Sequence, residues 1–169
     1  MNTTLVYRKF TLISLITFAI GCQKDTRETI PEFNVLKTES NTIFNTKDLG
    51  NGMVTILIHF DPSCKDCQEE AEDIIKHKDK LARTRIFYLS VEDTSKINLF
   101  RDFFHFSDYQ NITFGRDIDT AMAKHFRTGV TPLLAVYDKD NRLQVVFEGK
   151  ANMSELLGII QKIETSKSN

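Results

Sequence analysis

Residues 54–67 read VTILIHFDPSCKDC and predict a buried strand that runs directly into a helix carrying two cysteines. The apolar, β-branched run Val54–Phe60 is typical of a buried strand, and Asp61–Ser63 ends it. Apolar residues then recur at helical spacing, namely Cys67, Ala71, Ile74 and Ile75. A helix N-terminus presents unpaired N–H groups and a partial positive charge, and both favour a thiolate. The segment therefore predicts a nucleophilic dithiol, Cys64 and Cys67, with a redox role.

The whole chain has the length and composition of one globular domain with short appendages. It has 169 residues, of which 41% are hydrophobic and 27% are charged, and this is enough for a full hydrophobic core. The net charge of −1 gives no electrostatic basis for binding nucleic acid, so we expect no nucleic-acid partner.

The first 21 residues have the pattern of a secretory signal. Arg8 and Lys9 precede an apolar run over residues 10–20. This run is shorter than the roughly 20 apolar residues that a transmembrane helix needs. The run closes with FAIGC, which resembles a bacterial lipobox, where the signal is cut before a cysteine that then carries lipid. We therefore predict a lipoprotein signal peptide over residues 1–21 and lipidation of Cys22. The alternative is an uncleaved membrane anchor in which Cys22 is incidental.

The cysteine count agrees with this prediction. Three cysteines in an exported protein leave one without a partner. If Cys22 carries lipid, Cys64 and Cys67 remain as one pair in an oxidising compartment. We therefore expect a location in the bacterial cell envelope, with the lipid anchor in a membrane and the domain facing the periplasm or the outer surface.

The mature chain divides into a polar tether over residues 22–31, a domain over residues 32–164 and a disordered tail over residues 165–169. The other predicted elements are, in chain order, a hairpin of Glu32–Lys37 and Thr42–Phe44, a helix over Cys64–Leu81, a strand over Arg85–Val91, a helix starting at Asp93, Thr94 or Ser95, a short strand over Ile112–Phe114, a helix carrying Ile118, Met122 and Phe126 and ending at Gly129, a hairpin of Leu133–Tyr137 and Leu143–Phe147, and a helix over Met153–Ile163. Helices between the early strands require parallel crossovers, and the late hairpin adds antiparallel strands. The order predicts an α/β fold with a mixed central sheet and helices on both faces.

A strand that leads into a CxxC helix, followed much later by Gly129-Val130-Thr131-Pro132 before a hairpin, resembles the thioredoxin superfamily. Among its members the chain is similar to the TlpA/ResA-like extracytoplasmic thiol–disulfide oxidoreductases, over about residues 32–163. The resemblance implies a thioredoxin-like fold. The chain departs from these relatives at Ser63, where most have Trp, and at His59, which aligns with a buried Asp of thioredoxin.

The predicted helix assigns roles to the cysteine pair, and the resemblance adds one nearby carboxylate. Cys64 is expected to be the attacking thiolate, with the cation of Lys65 beside it, and Cys67 the buried resolving thiol. Glu70 lies within helical reach of Cys67, and relatives often carry Glu there, so it is a candidate proton acceptor. The alternative for Glu70 is an ordinary solvated residue on the helix surface.

The resemblance also implies a substrate-binding role for Thr131 and Pro132. In this fold a cis-proline loop packs against the CxxC motif, and the backbone of the preceding residue pairs with the substrate as an added strand would. The alternative is a proline that only starts a strand.

Other uses of the cysteines remain open at this stage. They could form a structural disulfide, or bind a metal together with His59 in a copper-handling lipoprotein, although a closed zinc site usually has four ligands. Otherwise His59 is a hydrogen-bonded core residue. A peroxidase is a weaker alternative, because Asp61 and Leu57 stand where peroxiredoxins place Thr and Pro.

The aromatic residues after the second strand could form a contact surface or a core. They are Phe100, Phe103, Phe104, Phe106, Tyr109 and Phe114. Exposed aromatic patches mark interaction sites, whereas buried ones only fill the interior.

The sequence thus predicts dithiol–disulfide exchange through Cys64 and Cys67, with no cofactor other than this redox-active pair. The resemblance to the TlpA/ResA-like family implies that the protein acts as a reductant. The expected partners are exported cysteine-containing proteins and a membrane or periplasmic thiol donor.

Overall fold

The computed structural model describes residues 28–166. The predicted signal peptide, Cys22 and most of the predicted tether lie outside the described residues. The strands are β1 Asn34–Lys37, β2 Ile43–Asn45, β3 Thr55–His59, β4 Arg85–Ser90, β5 Ile112–Asp117, β6 Leu133–Tyr137 and β7 Leu143–Glu148. The helices are α1 Lys65–Lys76, α2 Lys78–Leu81, α3 Thr94–Phe103, α4 Ala121–Phe126 and α5 Met153–Thr165.

The seven strands form one mixed sheet in the order β2-β1-β5-β4-β3-β6-β7. Strands β3, β4 and β5 are mutually parallel, because α1 and α2 connect the first pair and α3 connects the second. Strand β6 pairs antiparallel with β3, and the hairpins β1–β2 and β6–β7 complete the two edges. The predicted mixed sheet is confirmed.

Each face of the sheet carries its own apolar core. Helices α1, α3 and α5 pack on one face, and α4 packs on the other. Side chains alternate along β3, so Ile56 and Ile58 belong to the first core and Leu57 to the second. Helices therefore cover both faces, as predicted, and we call the face that carries α1 the cysteine face.

Two predicted helix boundaries are wrong. The helix predicted over Cys64–Leu81 is divided at His77 into α1 and α2. Helix α4 ends before Gly129, because Arg127 takes the left-handed conformation with φ 53° and the Thr128 N–H donates to the Ala123 carbonyl at 3.1 Å. Glycine is the usual residue at such a position, and here the chain closes the helix without it.

The domain also extends slightly beyond its predicted limits. Thr29, in the predicted tether, forms an isolated bridge with Arg142, and Thr165, in the predicted tail, is the last residue of α5. Among residues 28–166, no helix combines the length and apolar composition needed to cross a membrane.

Gly115 is required by the close approach of β1 to β5. A Cβ atom there would collide with Cγ1 of Val35 and lie 3.4 Å from the Leu36 carbonyl oxygen. We expect Gly115→Ala to lower the free energy of unfolding by roughly 1–3 kcal/mol, the usual cost of overpacking. Gly158→Ala is the matched control, because no atom lies within 4 Å of its added Cβ in helix α5, and it should stabilise by up to about 1 kcal/mol. Urea unfolding measures both, and equal stability of Gly115→Ala and the native protein would contradict this packing.

Candidate active site

Cys64 is the N-cap residue of α1. Its backbone is extended, with φ −75° and ψ 125°, and its Sγ accepts the Cys67 backbone N–H at 3.4 Å. The same sulfur, half-buried, donates to the carbonyl oxygen of Thr131 at 3.4 Å. An N–H of the first helical turn therefore points at the sulfur, where it favours negative charge.

The turn that presents Cys64 is built by Asp61. Its Oδ1 accepts the Ser63 N–H at 2.7 Å, and its carbonyl accepts the Cys64 N–H at 3.0 Å. The Pro62 carbonyl accepts from the Gln68 side chain at 3.1 Å, which ties the turn to α1. Asp61, predicted only to end the strand, thus fixes the position of the cysteine at the helix start.

Cys67 lies one turn into α1 and is buried, with 1% of its surface exposed. Burial is the main reason that the pKa of this thiol lies well above its usual range, and the neighbouring Cys64 adds to the shift. The Asp61 backbone opposes it. A thiol in this position gives up its proton only to a nearby acceptor. Both cysteines are present as free thiols.

Glu70 is also buried, with 1% of its surface exposed, whereas Glu72 on the same helix is exposed. The alternative of a solvated helix-surface residue is therefore wrong. Within the described part of the chain, neither carboxyl oxygen has a hydrogen-bond partner. Burial raises the pKa of Glu70 to about 8, with a smaller contribution from Asp73, while the Ala151 backbone and Lys150 oppose the shift. Glu70 is thus a buried carboxyl that can exchange a proton near neutral pH.

The Thr131–Pro132 segment packs against the cysteine, as the family resemblance implied. The peptide bond between the two residues is cis. Thr131 accepts from the Cys64 thiol, and the Pro132 carbonyl accepts the Gly149 N–H at 2.8 Å. The preceding residue, Val130, is exposed.

His59 lies on the opposite face of the sheet from Cys67. It is in register with Leu89 and Leu133, which belong to the core around α4. Burial lowers the pKa of His59, although Asp117 and Asp61 oppose this. The alignment with a buried proton-handling Asp behind the resolving thiol is therefore not supported by the fold.

The same arrangement does not favour the metal alternative. The residues that the structure describes contain no cluster of three or more His, Cys, Asp or Glu side chains able to hold a metal ion. His59 lies on the face of the sheet opposite Cys67, away from the cysteine pair.

The predicted aromatic contact surface is mainly core. Phe100, Phe106 and Phe114 are buried on the cysteine face, and Phe104 and Tyr109 are half-buried beside them. Only Phe103 is strongly exposed, at 76%.

Tyr88, on β4, was not identified from the sequence. It lies on the cysteine face, and its pKa is raised well above the usual value by burial and by the charges of Glu70 and Cys67. Its position in a buried strand gave no local signal of a role at the site.

No protein-family model matches this chain, and no curated protein matches it. Several solved structures are similar to this chain in fold. A candidate thioredoxin from Neisseria meningitidis is 21% identical, with a TM-score of 0.66 over 84% of this chain and 94% of that chain. A secreted Mycobacterium tuberculosis disulfide oxidoreductase, described as homologous to Escherichia coli DsbE, is 16% identical, with a TM-score of 0.63 over 77% and 95%. An exposed lipoprotein thioredoxin from Streptococcus pneumoniae is 14% identical, with a TM-score of 0.59 over 78% and 99%.

Peroxiredoxin-type structures also match, so the fold alone does not select one chemistry. What these proteins share with the chain is the mixed sheet and its covering helices. The structural matches, with the site geometry above, show that this chain has the thioredoxin fold.

Proposed function

We propose that this protein is a thiol–disulfide oxidoreductase that uses Cys64 and Cys67 alone as its redox centre. The observation that carries the proposal is the setting of the Cys64 sulfur. It lies at a helix N-terminus, 3.4 Å from the Cys67 N–H and 3.4 Å from the Thr131 carbonyl. Its partner thiol, Cys67, is buried one turn away, and Glu70, three residues further along the same helix, is a buried carboxyl with a raised pKa.

The reaction follows from this arrangement. The Cys64 thiolate attacks one sulfur of a substrate disulfide, forms a mixed disulfide and releases the other substrate sulfur as a thiolate. Cys67 then gives its proton to Glu70 and attacks the Cys64 sulfur, which releases the second substrate thiolate. The protein is oxidised to the Cys64–Cys67 disulfide, and the substrate gains the two electrons.

Substrate binding is assigned to the Thr131–Pro132 segment. Because the Thr131 carbonyl already contacts the Cys64 sulfur, a chain lying along this segment has its disulfide next to the nucleophile. An extended substrate backbone would pair there as an added strand does. The exposed Val130 side chain provides an adjoining apolar contact.

The direction and location belong to the same proposal. We infer that the protein reduces exported cysteine-containing proteins and that a membrane or periplasmic thiol donor then reduces its Cys64–Cys67 disulfide again. Lipid on Cys22 holds the protein at the cell envelope. The cysteine count supports this, because lipidation of Cys22 leaves one functional pair. The secreted oxidoreductase and the exposed lipoprotein among the structural matches are consistent with it.

A peroxidase is not favoured. Leu57 is buried in the sheet, and Asp61 builds the turn before Cys64, so neither position supplies the Thr or Pro of a peroxiredoxin pocket.

A redox titration tests the proposed function. Full-length protein carrying Cys22→Ala, so that only two thiols remain, is equilibrated in thiol–disulfide buffers and alkylated. We expect a two-electron transition with about 30 mV per tenfold change in the thiol–disulfide ratio. A midpoint potential of about −270 mV indicates a reductant, and one of about −120 mV indicates an oxidant. If both thiols alkylate fully at every potential, the proposed function is wrong.

A further inference from the structure

Tyr88 is held rigidly on the cysteine face by other aromatic rings. Its ring stacks on Phe114 at 4.8 Å between centroids and meets the edge of Phe60 at 5.4 Å. Phe106 packs against it at 5.2 Å. Tyr88 is 1% exposed, so its hydroxyl has a fixed position in the interior.

Three buried oxygen atoms in this region have no hydrogen-bond partner among the described residues. They are the Tyr88 hydroxyl and the two carboxyl oxygens of Glu70. An unsatisfied buried polar atom costs roughly 1–3 kcal/mol, so such atoms are uncommon in native proteins. A donor and an acceptor that lie near each other can satisfy this requirement together.

The charges that act on Tyr88 come from the redox site. Glu70 and Cys67 are the two charged groups that raise the pKa of its phenol, in addition to burial. The phenol therefore stays protonated while either group ionises, and it remains a hydrogen-bond donor throughout.

We propose that Tyr88 is a positioning residue for the resolving step, whose hydroxyl donates through one bridging water to the Glu70 carboxylate. This rests on the proposed function. The Glu70 carboxylate, held by this water-mediated hydrogen bond from Tyr88, receives the proton of the Cys67 thiol. The Cys67 thiolate then attacks the Cys64 sulfur of the mixed disulfide, the Cys64–Cys67 bond forms, and the substrate leaves as a thiolate.

The remaining charged groups near Glu70 lie towards the solvent. Lys150 pairs with Asp73 at 3.0 Å and with Glu69 at 3.4 Å. The Ala151 backbone and Lys150 favour the Glu70 carboxylate, and Asp73 opposes it. The rings that pack on Tyr88 do not titrate. They are Phe60 just after β3, Phe100 in α3, Phe106 between α3 and β5, and Phe114 in β5. Tyr88→Phe therefore changes one donor and leaves these charges in place.

Tyr137 provides a matched control. It is buried on the opposite face, its hydroxyl also has no partner among the described residues, and burial alone raises its pKa. Tyr137→Phe removes the same atom from a similar environment that has no charged neighbour acting on the phenol.

The test separates attack from resolution. In full-length protein carrying Cys22→Ala, a dithiobis-nitrobenzoate reagent releases one coloured thiolate when Cys64 attacks and a second when Cys67 resolves. In Tyr88→Phe we expect the half-maximal pH of the second release to rise by about one unit, which is about a tenfold slower release near neutral pH. The first release and the whole profile of Tyr137→Phe should match the native protein. Adding Tyr88→Phe to Glu70→Gln should give no further shift.

Each outcome bears on a different proposal. If the native residues give no second release, Cys67 does not resolve the mixed disulfide and the proposed function fails. If the second release occurs and its pH profile is the same in Tyr88→Phe, the role of Tyr88 is refuted. If Tyr88→Phe does not fold, isotope-edited NMR of the native protein decides, because the Tyr88 ring signals must then move with the titration of the Glu70 carboxyl. Tyr88 signals that do not follow that titration overturn the inference.

Discussion

Cys64→Ser is expected to abolish disulfide exchange, lowering the rate by more than about a thousandfold, as removal of a catalytic nucleophile does. A serine hydroxyl at the helix N-terminus is not ionised at neutral pH, and it cannot form the mixed disulfide. The measurement is reduction of a small disulfide substrate by the reduced protein. Cys22→Ala is the control and should retain full activity, because Cys22 takes no part in the exchange.

Cys67→Ser should behave differently from Cys64→Ser. The attacking sulfur keeps its contacts with the helix N-terminus and Thr131, so the mixed disulfide forms but cannot be resolved. Non-reducing electrophoresis should therefore show substrate proteins trapped on Cys67→Ser, and none on the double variant with Cys64→Ser. Trapping that persists in the double variant would show that Cys64 is not the nucleophile.

Glu70→Gln is expected to become increasingly stable relative to the native protein as the pH rises. Burial raises the pKa of Glu70 from 4.5 to about 8. Between these values the unfolded chain releases a proton that the folded protein keeps, so the native protein loses about 1.4 kcal/mol of stability per pH unit. The loss reaches up to about 5 kcal/mol by pH 8 and is absent below about pH 4.5. Glutamine does not ionise and removes this loss.

Urea unfolding across pH 4 to about 9 measures this effect. The difference in unfolding free energy between Glu70→Gln and the native protein should grow through the window and then level off. Glu72→Gln, at an exposed position of the same helix, is the control and should show no such growth. A constant difference for Glu70→Gln would mean that the carboxyl ionises in the folded protein as easily as in water. The same variant should slow the resolving step, because Cys67 loses its proton acceptor.

The elements nearest the cysteines could be predicted because their signals are local. The β-branched run before Asp61 and the helical spacing after Cys67 specify a strand and a helix within a few residues each. The division of the predicted 64–81 helix at His77 and the end of α4 at Arg127 were missed. Both depend on backbone conformations that residue type only weakly favours.

The sequence determined the dithiol, its place at a helix start and the helical spacing of Cys67 and Glu70, because these depend on neighbours within one turn. The tertiary structure decided which groups surround them. Sheet register placed His59 on the far face and Tyr88 on the cysteine face, and alternation along a strand makes that outcome depend on a single residue of register. The contact of Thr131 with Cys64 joins residues 67 positions apart. Burial of Glu70 likewise depends on packing from distant parts of the chain, and it turns an ordinary carboxyl into one with a pKa of about 8.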